Sequence, residues 1–131
     1  MNKEEDSFKL KKRLRSFRYA FAGLGNLLRR EHNARIHLAA ALLVTTLGLL
    51  LKLAPAEWVL LAIVIFLVLI TEILNTALEE LCDQVSTEKL ERIKRIKDYG
   101  AAAVFLSALL AVLAGLLIFI PRLIQWIEHI N

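Results

Sequence analysis

Glu72, Asn75, Thr76 and Glu79 follow one another at spacings of three, one and three. On a helix these four side chains share one face, with the two carboxylates two turns, about 10.5 Å, apart. The opposite positions, Ile73, Leu74, Ala77, Leu78 and Leu81, are apolar. Carboxylate oxygens suit a hard divalent cation such as Mg2+. A carboxylate partly withdrawn from water can also serve as a general base. Two further clusters carry polar chemistry: Glu31-His-Asn-Ala-Arg-Ile-His37 and Lys97-Asp98. Acids alone would make a cation path or a set of interhelical hydrogen bonds. Acids with Lys97 and flanking arginines point instead to a site for metal and polyphosphate, where metal and ammonium share the phosphate charge. No G-x-x-x-x-G-K-[ST] loop is present, and Gly23-Leu-Gly25 lacks the third glycine of G-x-G-x-x-G.

The elements that position these residues are apolar helices. Hydrophobic residues make up 57% of the 131-residue chain, above the roughly 45–50% of soluble domains. That excess excludes a disordered tail and argues against a water-soluble globule. The single cysteine, Cys82, excludes a disulfide scaffold. Ala101–Ile120 contains no charge and spans about 30 Å as a helix, one hydrocarbon core. Pro121 and Arg122 are expected to stop it. Trp58–Thr71 is also uncharged, and a full span must run on through Glu72 and Glu79. Ile36–Leu51 is the third apolar stretch. The spans are therefore expected at 35–52, 57–81 and 99–120, the first two joined as a tight antiparallel hairpin through Pro55. The longer link, about 83–98, is expected to be a short helix or a loop. Trp58 and Trp126 read as interfacial anchors.

Ten of the seventeen Lys and Arg residues lie in residues 1–35, and five more between Lys89 and Lys97. Basic flanks mark the cytoplasmic side, so the amino terminus and the 83–98 link are expected inside, with Lys52 and Arg122 outside. The apolar runs between these blocks favour a membrane over nucleic acid as the partner. Leu10, Leu14, Phe17, Phe21, Leu24 and Leu28 recur at helical spacing, so residues 8–30 are expected to form an amphipathic surface helix, with basic residues largely off the apolar face. Glu31, Glu79 and Lys97-Asp98 then fall at one inner boundary.

Glu72-Ile-Leu-Asn-Thr-Ala-Leu-Glu79, followed by Lys97-Asp98-Tyr-Gly-Ala-Ala-Ala-Val104, resembles the signature of the prokaryotic diacylglycerol kinase family, which includes the undecaprenol kinases. The resemblance covers nearly the whole chain. It implies an all-α integral membrane protein of the bacterial cell membrane, with three transmembrane helices, a surface helix and a homotrimeric bundle with composite sites. It implies an ATP-dependent kinase acting on a lipid alcohol at the cytoplasmic face, with Mg2+ bound to the nucleotide. By position, Glu72 matches the catalytic base and Asn75 a polar active-site residue. Glu31 and Glu79 match the metal-holding carboxylates, and Lys97 and Asp98 match nucleotide contacts. Lys12 and Tyr19 match nucleotide contacts on the surface helix, and Glu88 one in the link. Glu31-x-Asn33-x-Arg35-x-His37 and the Phe-Ile-Pro-Arg122 ending resemble the undecaprenol kinase-like branch, with diacylglycerol as the alternative substrate. Tyr99 departs from the apolar residue usual after Lys-Asp. A small cation channel or transporter subunit is the reading from another class.

Overall fold

The structure, a computed structural model, describes residues 3–86, 88 and 90–128, with side chains from residue 13 onward. The described residues are helical apart from short breaks. In chain order they form α1 (Lys3–Arg30), α2 (His32–Leu50), α3 (Pro55–Val85) and α4 (Glu91–Glu128). The chain divides into two units, Met1–His32 and Asn33–Asn131.

The first unit is essentially α1. Its last turn carries Arg29 and Arg30, where cations oppose the negative end of the helix dipole. The Glu31 N–H still donates to the Leu27 carbonyl, at 2.8 Å. Phe17, Tyr19 and Phe21 are exposed.

The second unit holds α2, α3 and α4, each long and apolar enough to cross a bilayer. The turn between α2 and α3 is tight. Lys52 adopts φ 52°, a left-handed conformation that helix ends favour. Its neighbour Leu53 donates back to the Gly48 carbonyl at 3.1 Å. Gly48 is buried because Leu53 and Trp58 fill the space beside it. A Cβ there would sit 2.9 Å from Leu53 Cδ1 and 3.0 Å from the Trp58 ring. Pro55 opens α3, where a missing N–H costs nothing.

The main packing lies between α3 and α4. Leu61, Val64, Val68, Glu72 and Cys82 are buried on α3. Gly100, Ser107, Ala114 and Ile118 are buried on α4. Gly100, Ser107 and Ala114 stand seven apart, a spacing that returns small residues to one stripe and lets two antiparallel backbones approach closely. Leu53, Leu61, Val64, Ala114 and Ile118 form the apolar cluster, with Val44, Trp58 and Phe119 packed on it. Three polar ties fix the register of the seam. Arg122 grips both carboxylate oxygens of Glu57, at 3.0 and 2.5 Å. The Thr71 and Ser107 hydroxyls meet at 2.8 Å. Lys97 donates to Asp83 at 2.5 Å. Elsewhere the three helices present large apolar side chains outward, Leu117 at 76% and Leu50 at 69% exposure among them. Such a surface fits lipid as its solvent.

Helix ends differ from the sequence reading by a few residues throughout, as at α1, which begins at Lys3, and two differences are larger. The link expected over 83–98 shrinks to residues 86–90, because α3 runs on to Val85 and α4 starts at Glu91. Residues 91–98 are Glu, Arg, Lys, Ile and Asp, most of them good helix formers once outside lipid. Pro121 does not stop α4, which continues to Glu128. Proline removes one backbone donor, and its φ is already helical. Arg122, one residue on, is held by Glu57, so the helix is carried past the proline by a side-chain tie to α3.

Candidate active site

The site is built on the seam as it leaves the apolar cluster. On α3, Leu61, Val68, Asn75 and Cys82 are seven apart, and Glu72 and Glu79 repeat the interleaved position. Asn75 thus occupies the position that earlier in the helix holds Leu61 and Val68, and Glu72 and Glu79 the one that holds Trp58 and Ile65. Glu72 is only 2% exposed. Thr71 is pinned beside it by its bonds to Ser107 and to the Leu67 and Val68 carbonyls, which limits rotation of α3 about its axis at this level.

One turn on, Asn75 Nδ2 donates to Glu79 Oε1 at 3.0 Å. The amide is thereby oriented, and its Oδ1 is buried with no hydrogen-bond partner. That oxygen lies against Gly100 of α4, where a Cβ would overlap it and would stand 3.7 Å from the Asn75 Cα. Only glycine leaves room for the amide in this orientation.

Beyond Glu79 the seam opens into a cavity of about 530 Å3, lined by Asp83, Ser86, Glu88, Leu90, Glu91, Ile93, Lys94, Lys97 and Asp98. Two ion pairs cross or border it. Lys97 meets Asp83 from the facing helix, and Lys94 meets Asp98 one turn along α4 at 2.6 Å. Lys97 lies before the uncharged stretch of α4. Its bond to Asp83 holds the ammonium above the ordinary lysine range, and Glu79 adds to the effect. Lys97 is therefore charged at neutral pH and close enough to Glu79 to feel it.

The residues singled out from the sequence are distributed as follows. Glu72, Asn75 and Glu79 lie along the seam. Glu88, Lys97 and Asp98 line the cavity at its end. Tyr19 and Glu31 belong to the first unit, Tyr19 exposed on α1 and Glu31 half-buried just after it. The side chain of Lys12 lies outside the described residues. His37 is half-buried and borders a separate apolar cavity among α2, α3 and α4, whose lining includes Val44, Leu61, Val68 and Phe119. Tyr99 is exposed at 72%. Among the described residues no three His, Cys, Asp or Glu side chains are grouped as a metal cage. Mg2+ does not need one, since it is commonly held by one or two carboxylates together with substrate phosphates. The oxygen donors at Glu79 fit that pattern.

Sequence reasoning passed over four residues. Asp83 carries no distinguishing signal in the sequence, although it is the direct partner of Lys97. Its partner lies fourteen residues away, and only the short link brings the two together. Lys94 pairs with Asp98 at i and i+4, a spacing visible in the sequence. Gly100 and Ser107 carry no chemical signal of their own beyond their seven-residue spacing.

Residues 18–119 match the family model described as prokaryotic diacylglycerol kinase. The chain belongs to the prokaryotic diacylglycerol kinase family. It is similar to the undecaprenol kinase of Bacillus subtilis (strain 168), 33% identical over 123 residues, covering 94% of this chain and 100% of that one. It is 38% identical over 111 residues to the diacylglycerol kinase of Synechocystis, covering 84% of this chain and 63% of the relative. With the diacylglycerol kinase of Escherichia coli (strain K12) it shares 35% identity over 95 residues, 72% of this chain and 78% of that one. Family membership and three bilayer-length apolar helices make this a multi-pass membrane protein and a lipid kinase.

Proposed function

We propose that this lipid kinase transfers the γ-phosphoryl group of ATP to the hydroxyl of undecaprenol, at the inner face of the bacterial membrane. The observation that carries the reading is the buried Glu72, followed along one seam by the Asn75–Glu79 pair and then by a charged cavity. That order runs from lipid depth to water, as a reaction between a membrane alcohol and a soluble nucleotide requires. The Bacillus subtilis undecaprenol kinase, matched over its whole length, supports the choice of lipid, as does the Glu31-x-Asn33-x-Arg35-x-His37 pattern. Diacylglycerol is the second reading, favoured by the family description and the Synechocystis relative.

In this mechanism Glu72 accepts the proton of the substrate hydroxyl. The oxygen then attacks the γ-phosphorus, its bond to the bridging oxygen breaks, and ADP departs. Burial of Glu72 keeps competing water from the nucleophile. Asn75 fixes the orientation of Glu79. Lys97 donates to the phosphates and Asp98 contacts the nucleotide, with Glu88, Tyr19 and Lys12 as further nucleotide contacts. Glu31 and Glu79 would hold Mg2+, which neutralises phosphate charge when bound. The α1 helix lies on the cytoplasmic interface, its apolar face in lipid. The basic block around Lys89–Lys97 at the site end supports a cytoplasmic site. Three chains assemble as a trimer, which covers part of the exposed apolar surface of α2–α4 and lets neighbouring chains complete each site.

The test is phosphate transfer by the purified protein in liposomes, given labelled ATP, Mg2+ and either undecaprenol or diacylglycerol. Metal-dependent labelling of undecaprenol, with near-complete loss in Glu72→Gln, is expected. Preferred turnover of diacylglycerol would select the second substrate. Transfer that survives Glu72→Gln would remove this residue from the base role, and cation flux without transfer would overturn the kinase reading.

A further inference from the structure

The cavity at the end of the seam contains a second ammonium group that the mechanism above does not use. Lys94 and Lys97 stand three residues apart on α4, so their side chains leave one helix face as neighbours. Both line the cavity, together with Ser86 and Glu88 of the link. Each is anchored by one carboxylate, Lys94 by Asp98 at 2.6 Å and Lys97 by Asp83 at 2.5 Å. An ammonium has three donors, and one anchoring bond leaves others to offer to a ligand. The anchors also limit how far each long side chain can wander.

Charge decides what such a pair can do. Among the described residues the cavity is lined by four acids, Asp83, Glu88, Glu91 and Asp98, and by the two lysines. Acidic walls suit metal-loaded phosphates and ribose hydroxyls but oppose a bare polyanion. Lys94 and Lys97 are the cations among the described residues of that lining. Removing Lys94 would take one positive charge from this acidic lining and would uncover Asp98.

We propose that Lys94 is a further nucleotide-binding residue, supplying a second ammonium to the polyphosphate of ATP while holding Asp98 in place. The proposal rests on the kinase reading above and adds a residue to its nucleotide site. An exposed i,i+4 ion pair contributes little to folding, so the protein with Lys94→Ala is expected to fold and insert normally.

The experiment measures KM for ATP, KM for the lipid alcohol and kcat in the full-length protein in liposomes, at several ionic strengths. For Lys94→Ala, KM for ATP should rise about fivefold at low salt, the scale of one screened charge contact. The kcat and lipid KM should stay within about twofold, and the salt dependence of KM for ATP should flatten. Lys94→Arg should restore most of the loss, and Lys94→Glu should deepen it. An unchanged KM for ATP would overturn the proposal, as would kcat and both KM values moving together. Direct binding of a fluorescent trinitrophenyl-ATP separates this proposal from the kinase reading. If the unmodified protein binds it but phosphorylates no lipid, the kinase reading fails and Lys94 is still judged by the affinity of Lys94→Ala. Equal affinity in that variant sinks the Lys94 assignment alone, and no binding by the unmodified protein sinks both.

Discussion

Substitution of Gly100 by alanine tests the close approach of α3 and α4 at the amide of Asn75. In an open helix interior, Gly→Ala stabilises by about 1 kcal/mol through backbone entropy and helix propensity. Here the added Cβ would overlap Asn75 Oδ1 and crowd Asn75 Cγ at 3.3 Å. Overfilling a packed site costs about 1–3 kcal/mol. If the amide swings away instead, its bond to Glu79 is lost, at about 0.5–1.5 kcal/mol. The opposing terms leave a net loss of about 0–2 kcal/mol where an open helix would show a gain. The effect on turnover should be larger than that on stability. Misplacing a positioned group by about 1 Å can cost about 100-fold in rate, and both Asn75 and Glu79 would move. We expect kcat to fall between 10- and 100-fold in a liposome assay, with a lowered thermal midpoint in detergent. A double-mutant cycle isolates the cause. In an Asn75→Ala background the obstructing amide is gone, so Gly100→Ala should become neutral or stabilising in the same melt. Equal destabilisation in both backgrounds, or full activity of Gly100→Ala, would refute the steric argument.

Other outcomes follow from the same seam. Thr71→Val removes the cross-helix hydroxyl bond to Ser107 and should cost about 0.6–1.7 kcal/mol in the membrane. Adding Ser107→Ala should cost little more, read by thermal inactivation of single and double variants. Arg122→Gln releases Glu57, which also accepts the Ala54 N–H at 2.6 Å. It should lower the thermal midpoint while changing KM for ATP little, because the pair lies at the opposite end of the seam from the charged cavity. Asp83→Asn removes the carboxylate that raises Lys97 above its ordinary value of 10.5. The ammonium form is then lost at lower pH. Any alkaline rise in KM for ATP should therefore begin earlier in Asp83→Asn than in the parent, and an unshifted profile would deny that Lys97 acts there.

The sequence made the apolar helices and the polar stripe legible for physical reasons. Twenty uncharged residues at Ala101–Ile120 leave few alternatives to a span, and the 3-1-3 spacing of Glu72, Asn75, Thr76 and Glu79 puts them on one helix face. The boundaries were less legible. Charged residues such as Lys94 and Asp98 read equally well as loop or helix, because lipid depth no longer constrains them. Pro121 read as a terminator because the bond from Arg122 to Glu57 spans 65 residues. The seam partners Asp83–Lys97 and Asn75–Gly100 were hidden for a related reason. Pairings across helices depend on the length of the link, which shrank from an expected 83–98 to 86–90.

That short link has a mechanical consequence. From Glu72 to Asp83, α3 rises about 16 Å without a break, and α4 returns alongside it from Glu91. In the proposed reaction, paired rods of fixed pitch would act as a spacer between a greasy reactant and an aqueous one. Lengthening the tip at 86–90 would leave that gauge intact. Inserting a single residue between Glu79 and Asp83 would turn everything beyond it by about 100°, so the two halves of the machinery would face different directions while each remained locally whole.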